Sequence, residues 1–189
     1  MLSRRAFVAL GAAVAAAGPA FADDSIDARV VVEELLSSAR ASFSHPDPGP
    51  ALTSAVERAF DFDIWERFLL QKRAEAFSDA QRQQFRALLP GFLAYLYRDR
   101  FDRGMTGAPT VGDASKVRRD ILVASRFERS SGAALPVDWR LRNTDGEMRV
   151  IDIMVAGTSF LLLKRDEFQA IIDKGGAEEL LAHIRSRSF

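Results

Sequence analysis

The spacing of apolar residues after residue 22 predicts a helical first half of the chain. Apolar positions three and four residues apart indicate an amphipathic helix over about 25–43, which the prolines and glycine of 45–50 bring to an end. A second helix ends near Phe60, and a short third helix follows directly. The strongest signal for a helix start is Ser78-Asp79-Ala80-Gln81, because a serine cap and a glutamine three residues later satisfy each other's backbone amides.

The spacing changes to two residues from Pro109 onward, which is typical of strands with one face toward a core and one toward water. We predict one strand over 117–127, a second over 137–142 and a third over 147–156. Asn143-Thr144-Asp145-Gly146 predicts the hairpin turn between the last two strands.

Helical spacing returns at Ser159 and continues to about Lys174, where Gly175-Gly176 separates it from a last helix over about 177–187. These elements predict an α+β fold, with an antiparallel sheet of about four strands and the helices packed on one side. No linker is long enough to separate two units. Residues 23–189 are therefore predicted to form a single domain.

The segment from Met1 to Ala22 has the layout of a cleaved signal peptide. Arg4-Arg5 precede an apolar run of about 12 residues, and Ala20-Phe21-Ala22 supplies a small-residue cleavage site. The run is shorter than the ~20 residues that a membrane-spanning helix needs. Two arginines before Phe7 favour the twin-arginine export route, with an ordinary secretory signal as the alternative. Either route predicts the bacterial periplasm as the location.

Composition narrows the function classes of the mature chain. Without the two signal arginines it has 24 basic and 26 acidic side chains, so it lacks the basic excess that nucleic-acid binding needs. It has no cysteine, which excludes thiol chemistry and leaves the fold to packing alone. Fourteen phenylalanines, two tryptophans and two tyrosines would suit either a tightly packed core or the wall of a cavity for acyl chains.

The residue types that catalysis needs are scarce. Two isolated histidines, His45 and His183, have no second histidine at a metal-ligand spacing, and no glycine-rich loop leads from a strand into a helix. The sequence therefore predicts no catalytic residue, no metal site and no cofactor. The chain is not expected to be an enzyme.

Asp152 alternates with apolar residues inside a predicted strand, and Val150 and Met154 make its own face of that strand partly apolar too. A partly buried carboxylate needs a partner, for which the basic candidates are Arg119, Arg149 and Lys164. The alternative is that Asp152 serves as a general base in a cone-shaped isomerase or hydrolase.

Two blocks of sequence resemble the MlaC family, also called toluene-tolerance proteins. The first consists of Val56 to Phe62, then Phe77 to Phe85 with its serine cap, then the aromatic segment from Phe92 to Tyr97. The second is the strand segment Val150 to Ser159. The resemblance continues in register through Arg165 to Phe168 and Gly175 to Leu181. Ala156 stands where family members usually have glutamate.

The resemblance implies a periplasmic carrier with a lipid pocket between the sheet and the helices. The partners it implies are a phospholipid ligand, an inner-membrane ABC transporter with an MCE-domain protein, and an outer-membrane lipoprotein–porin complex. The alternative is a related carrier whose ligand is a hopanoid lipid. The chain is expected to act as a monomer. Together with the strand alternation, it predicts the following lipid-binding residues: Phe92, Leu96, Ile121, Val123, Phe127, Trp139, Leu141, Ile151, Ile153 and Val155.

Overall fold

The structure is a computed structural model that describes residues 19–99 and 104–189. Residues 1–18, which make up most of the predicted signal peptide, lie outside the described residues. The helical first half contains α1 (Pro19–Ser42), α2 (Gly49–Ala59), α3 (Phe62–Leu70), a 3-10 helix (Gln71–Ala76) and α4 (Asp79–Tyr97). The helices lie close to their predicted positions, except that α1 begins at Pro19 and not near residue 25.

The sheet is an antiparallel meander of five strands in the order β1-β2-β3-β4-β5. The strands are β1 (Thr110–Val117), β2 (Asp120–Phe127), β3 (Leu135–Thr144), β4 (Glu147–Val155) and the two-residue β5 (Thr158–Ser159). The final helix, α5 (Phe160–Arg185), is interrupted by a non-helical residue at Gly176, as the glycine pair predicts. The α+β fold class predicted from sequence is confirmed.

The predicted strand over 117–127 is wrong at its first residues. Val117 ends β1 and pairs with Asp120, the first residue of β2, so the chain reverses at Arg118-Arg119. Arg118 adopts a positive φ of 61°, which a tight turn demands and which sequence alternation does not reveal.

Two predicted local motifs are confirmed. Ser78 forms a full capping box with Gln81 at the start of α4. Asp145 and Gly146 both have positive φ between β3 and β4, the conformation that a two-residue hairpin turn requires. Pro90 lies inside α4, which continues through Pro90-Gly91 to Tyr97.

The core lies between the inner face of the sheet and the helices. Its largest fully buried side chains come from both halves of the chain: Trp65, Phe85, Phe92, Phe127 and Phe168. Asp61 connects the two halves, since its carboxylate accepts the Ile64 amide at 2.8 Å to cap α3 and the Thr144 hydroxyl at 3.1 Å from β3.

Glu66 joins α3 to α4 through a buried carboxylate. Arg82 donates to Oε1 at 2.8 Å and Arg86 to Oε2 at 2.6 Å, while the Glu66 side chain is only 3% exposed. Burial opposes ionisation of Glu66, but the hydrogen bonds and charges of Arg86 and Arg82 outweigh it, so the pKa lies below its ordinary value of 4.5.

We therefore expect Glu66→Gln to lower the free energy of unfolding at neutral pH by about 1–2 kcal/mol, since both arginines are partly solvated. The extra stability of wild-type protein over Glu66→Gln begins to fall as the pH drops below 4.5. It is lost as the pH drops through the lowered pKa of Glu66, because the carboxylate then becomes protonated in the folded protein. Urea denaturation at several pH values measures the difference. Glu57→Gln, at an exposed position of α2, is the control and should change little.

Candidate binding cavity

A cavity of about 690 Å³ lies between the inner face of the sheet and the helices. Its volume falls within the ~300–1,000 Å³ range that is typical of ligand pockets. Its lining is mainly aliphatic and aromatic. The residues are Leu35 and Ala39 of α1, Leu52 and Val56 of α2, Phe60, Leu93, Leu96 and Tyr97 of α4, Phe127, Leu135, Val137, Trp139, Ile153 and Val155 of the strands, Thr158, and Phe160, Leu163, Lys164 and Glu167 of α5.

Strand register builds the sheet wall of the cavity. Three cross-strand pairs follow one another on the inner face: Phe127 with Leu135, Trp139 with Ile153, and Val137 with Val155. All six of these side chains line the cavity. Because side chains alternate along a strand, the pairs form one continuous apolar surface.

The polar edge of Trp139 is satisfied within the inner face of the sheet. Its Nε1 donates to the Ser125 hydroxyl at 2.9 Å, and that hydroxyl donates to the Val137 carbonyl at 2.6 Å. The ring therefore presents apolar surface to the cavity without leaving a buried donor unpaired.

Five of the ten residues predicted to bind lipid lie at the cavity: Leu96, Phe127, Trp139, Ile153 and Val155. Four others belong to the packed core and do not line it, namely Phe92, Ile121, Val123 and Leu141. At the Ile121 end of the sheet, the core fills the space that the cavity occupies at the other end. Contact of any of these residues with lipid stays a prediction.

Ile151 does not line the cavity because β4 contains a bulge. Arg140 pairs with Asp152, but the next residue, Leu141, pairs with Val150. The additional residue, Ile151, breaks the alternation that placed it with Ile153 in the sequence-based assignment. Val150, which is fully buried, takes the position opposite Leu141.

Sequence reasoning missed the helix side of the cavity almost entirely. Leu35, Leu52 and Phe160 belong to apolar faces that the helical spacing identifies, but spacing alone does not separate a cavity wall from a packed core. That distinction depends on how far apart the helices are held from the sheet.

Asp152 has different partners from those that were predicted. Its carboxylate accepts the Ser159 hydroxyl at 2.6 Å, the Ile153 amide at 2.7 Å and the Leu161 amide at 3.1 Å. No ion pair with Arg119, Arg149 or Lys164 is formed among the described residues, since the three hydrogen bonds already satisfy the group. Burial nevertheless raises the pKa of Asp152 above its ordinary value, against the lowering effect of these donors.

The Asp152 carboxylate fixes the start of α5 to β4 and lies outside the cavity lining. Ser159 caps the same helix by accepting the Leu162 amide at 3.0 Å. This arrangement positions Phe160 and Leu163 at the cavity.

A smaller cavity of about 420 Å³ lies between α1 and α2 and includes Glu33, Glu34 and Arg58 in its lining. Its mixed polarity makes it a poorer site for an apolar ligand. Within the described parts of the chain, no group of three metal-ligating side chains converges. Nor does any helix there have the length and apolar character needed to cross a membrane.

The fold and the larger cavity define an α+β protein that can enclose an apolar molecule between its sheet and its helices. The chain belongs to the MlaC protein family, whose family model matches residues 34–186. The family assignment made from the sequence is thereby confirmed. Comparison with curated protein sequences finds no significant match.

A solved structure shows the same fold. It is described as the phospholipid-binding protein from Ralstonia solanacearum in complex with a phospholipid, and it is 19% identical to this chain. The alignment covers 85% of this chain and 96% of the other, with a TM-score of 0.67.

Proposed function

We propose that this protein is a periplasmic carrier that binds a phospholipid by its acyl chains in the cavity between sheet and helices. The observation that carries the proposal is the continuous apolar wall formed by three cross-strand pairs and the facing helices. Membership of the MlaC family and the phospholipid complex of the Ralstonia protein support it.

Carriage without catalysis fits the energetics of lipid transfer. Burying a methylene is worth ~0.8 kcal/mol, so two 16-carbon chains represent on the order of 25 kcal/mol. A carrier that only collides with a lipid in water has no source for this free energy. A carrier therefore needs a pocket about as apolar as the bilayer, so that exchange with a docked partner is nearly isoenergetic.

The proposal extends to export and to partners. The segment 1–22 would direct the chain to the periplasm and be removed, leaving residues 23–189 as one lipid-binding domain. The partners would be an inner-membrane ABC transporter with its MCE-domain protein and an outer-membrane lipoprotein–porin complex, between which the carrier shuttles.

We expect protein purified from bacteria to retain about one phospholipid per monomer. Native mass spectrometry, followed by organic extraction, measures the mass of the bound species and its number of acyl chains. A bound triterpenoid would instead identify a hopanoid carrier. Protein that is consistently free of lipid and turns over an ester or a steroid would contradict the carrier function.

A further inference from the structure

We infer that Lys164 binds the phosphate of the carried phospholipid, and that Glu167 holds the Lys164 ammonium while no such lipid is bound. The inference rests on the proposed carrier function and adds a specificity-determining residue to it. It predicts that the protein distinguishes lipids by the anionic group next to the acyl chains.

The cavity presents almost no other charge. Among the described residues that line it, Lys164 is the one basic side chain and Glu167 the one carboxylic acid. When the acyl chains of a phospholipid occupy this cavity, the one cationic side chain in the lining that its phosphate can meet is therefore Lys164.

The environment of Lys164 makes an anionic partner necessary. Its side chain is only 13% exposed, and its ammonium lies 5.6 Å from the centre of the Phe160 ring and 5.8 Å from that of Phe92. Aromatic faces compensate only part of the hydration that an ammonium loses on burial. Glu167 supplies the missing negative charge at 2.5 Å.

Glu167 can give up this contact more easily than Lys164 can. The Glu167 side chain is 40% exposed, so its carboxylate stays hydrated when the ammonium turns to another anion. A phosphate has three further advantages as a partner, namely more acceptor oxygens, charge spread over them and attachment to chains that the cavity holds.

His183 provides an alternative donor for Glu167. Its Nε2 lies 3.3 Å from Glu167 Oε1, yet it is buried and makes no hydrogen bond of acceptable geometry. Arg187 approaches the other ring nitrogen, Nδ1, at 3.1 Å. Since a guanidinium only donates, Nδ1 must accept and the proton of the neutral ring lies on Nε2, directed toward Glu167.

The exchange therefore leaves every group with a partner. When a phosphate takes Lys164, a small rotation of Glu167 converts its long contact with His183 into a hydrogen bond. A neutral lipid with the same acyl chains offers Lys164 no anionic group, and the Lys164–Glu167 pair would remain in place.

The test compares phosphatidylglycerol with diacylglycerol of identical acyl chains. Delipidated protein purified from bacteria is incubated with vesicles that contain both lipids, re-isolated and analysed by native mass spectrometry. Wild-type protein should take up both lipids and prefer phosphatidylglycerol by about tenfold, which is the value of one charge-assisted hydrogen bond. Lys164→Met should remove this preference, so that the two lipids are taken up in equal proportion.

Glu167→Gln acts on the same ion pair from the other side. It leaves the buried ammonium without its carboxylate, so the preference for phosphatidylglycerol should increase. If the pair merely held α5 in place, Glu167→Gln and Lys164→Met would instead lower uptake of both lipids together. Arg165→Met is the matched control, because Arg165 pairs with Asp166 at 2.7 Å and does not line the cavity.

An unchanged preference in Lys164→Met would overturn the inference and leave the carrier function intact. Failure of wild-type protein to take up either lipid would overturn both. Inorganic phosphate in large excess should not displace phosphatidylglycerol from the wild-type protein. Displacement would identify free phosphate as the ligand of Lys164 and would also overturn the assignment to a lipid head group.

Discussion

Ile153→Asp is expected to reduce co-purifying lipid at least tenfold while the protein remains folded. Ile153 pairs with Trp139 at the centre of the sheet wall and is only half-buried, because it faces the cavity. A carboxylate at this position can stay hydrated in the empty cavity. Acyl chains would remove that water, and an unpaired charge in apolar surroundings costs several kcal/mol, which corresponds to more than tenfold in affinity.

The matched control is Leu122→Asp. It makes the same change from an apolar side chain to a carboxylate, but on the opposite face of the sheet, where Leu122 pairs with Arg140. Thermal melting must accompany lipid quantification by mass spectrometry, so that loss of lipid is separated from loss of fold. Normal lipid content in folded Ile153→Asp would show that acyl chains do not reach this wall.

Asp152→Ala is expected to lower the free energy of unfolding by about 2–4 kcal/mol. The substitution removes the acceptor of the Ser159 hydroxyl and of the buried Leu161 amide, and it releases the first turn of α5 from β4. Asp152→Asn should have a much smaller effect, about 1 kcal/mol or less. Its carbonyl oxygen can retain both backbone amides, and its amide nitrogen can donate to the Ser159 oxygen.

The difference in the free energy of unfolding between wild-type protein and Asp152→Asn should depend on pH, and the sign of this dependence follows from the pKa of Asp152. Burial raises the pKa of Asp152 above its ordinary value of 3.8, so the ionised group lowers the stability of the folded protein at neutral pH. Wild-type protein should gain stability relative to Asp152→Asn as the pH falls through the raised pKa toward 3.8.

Urea denaturation of wild-type protein, Asp152→Ala and Asp152→Asn across this pH range measures both effects. Equal stability of Asp152→Ala and wild-type protein would show that the carboxylate does not hold α5. Lipid occupancy of Asp152→Asn should stay close to that of wild-type protein, since the group does not line the cavity. An isomerase or hydrolase activity that disappears in Asp152→Asn would restore the catalytic alternative.

The sequence by itself determined the elements whose causes are local. The capping box at Ser78 depends on two side chains three residues apart, and the turn at Asp145-Gly146 depends on residues that tolerate positive φ. Alternation on β3 likewise identified Trp139 as an inward-facing residue, because the pleat of a strand has a fixed period of two. The fold class followed from the order of these elements.

The tertiary structure decided where the core ends and the cavity begins. Ile121 and Ile153 have the same character in the sequence, yet one is packed and the other borders open space. The bulge at Ile151 and the partners of Asp152 arise from the way β4 meets β3 and α5. Such features depend on contacts between residues distant in sequence, and the spacing of apolar residues carries no information about the gap between a sheet and the helices that cover it.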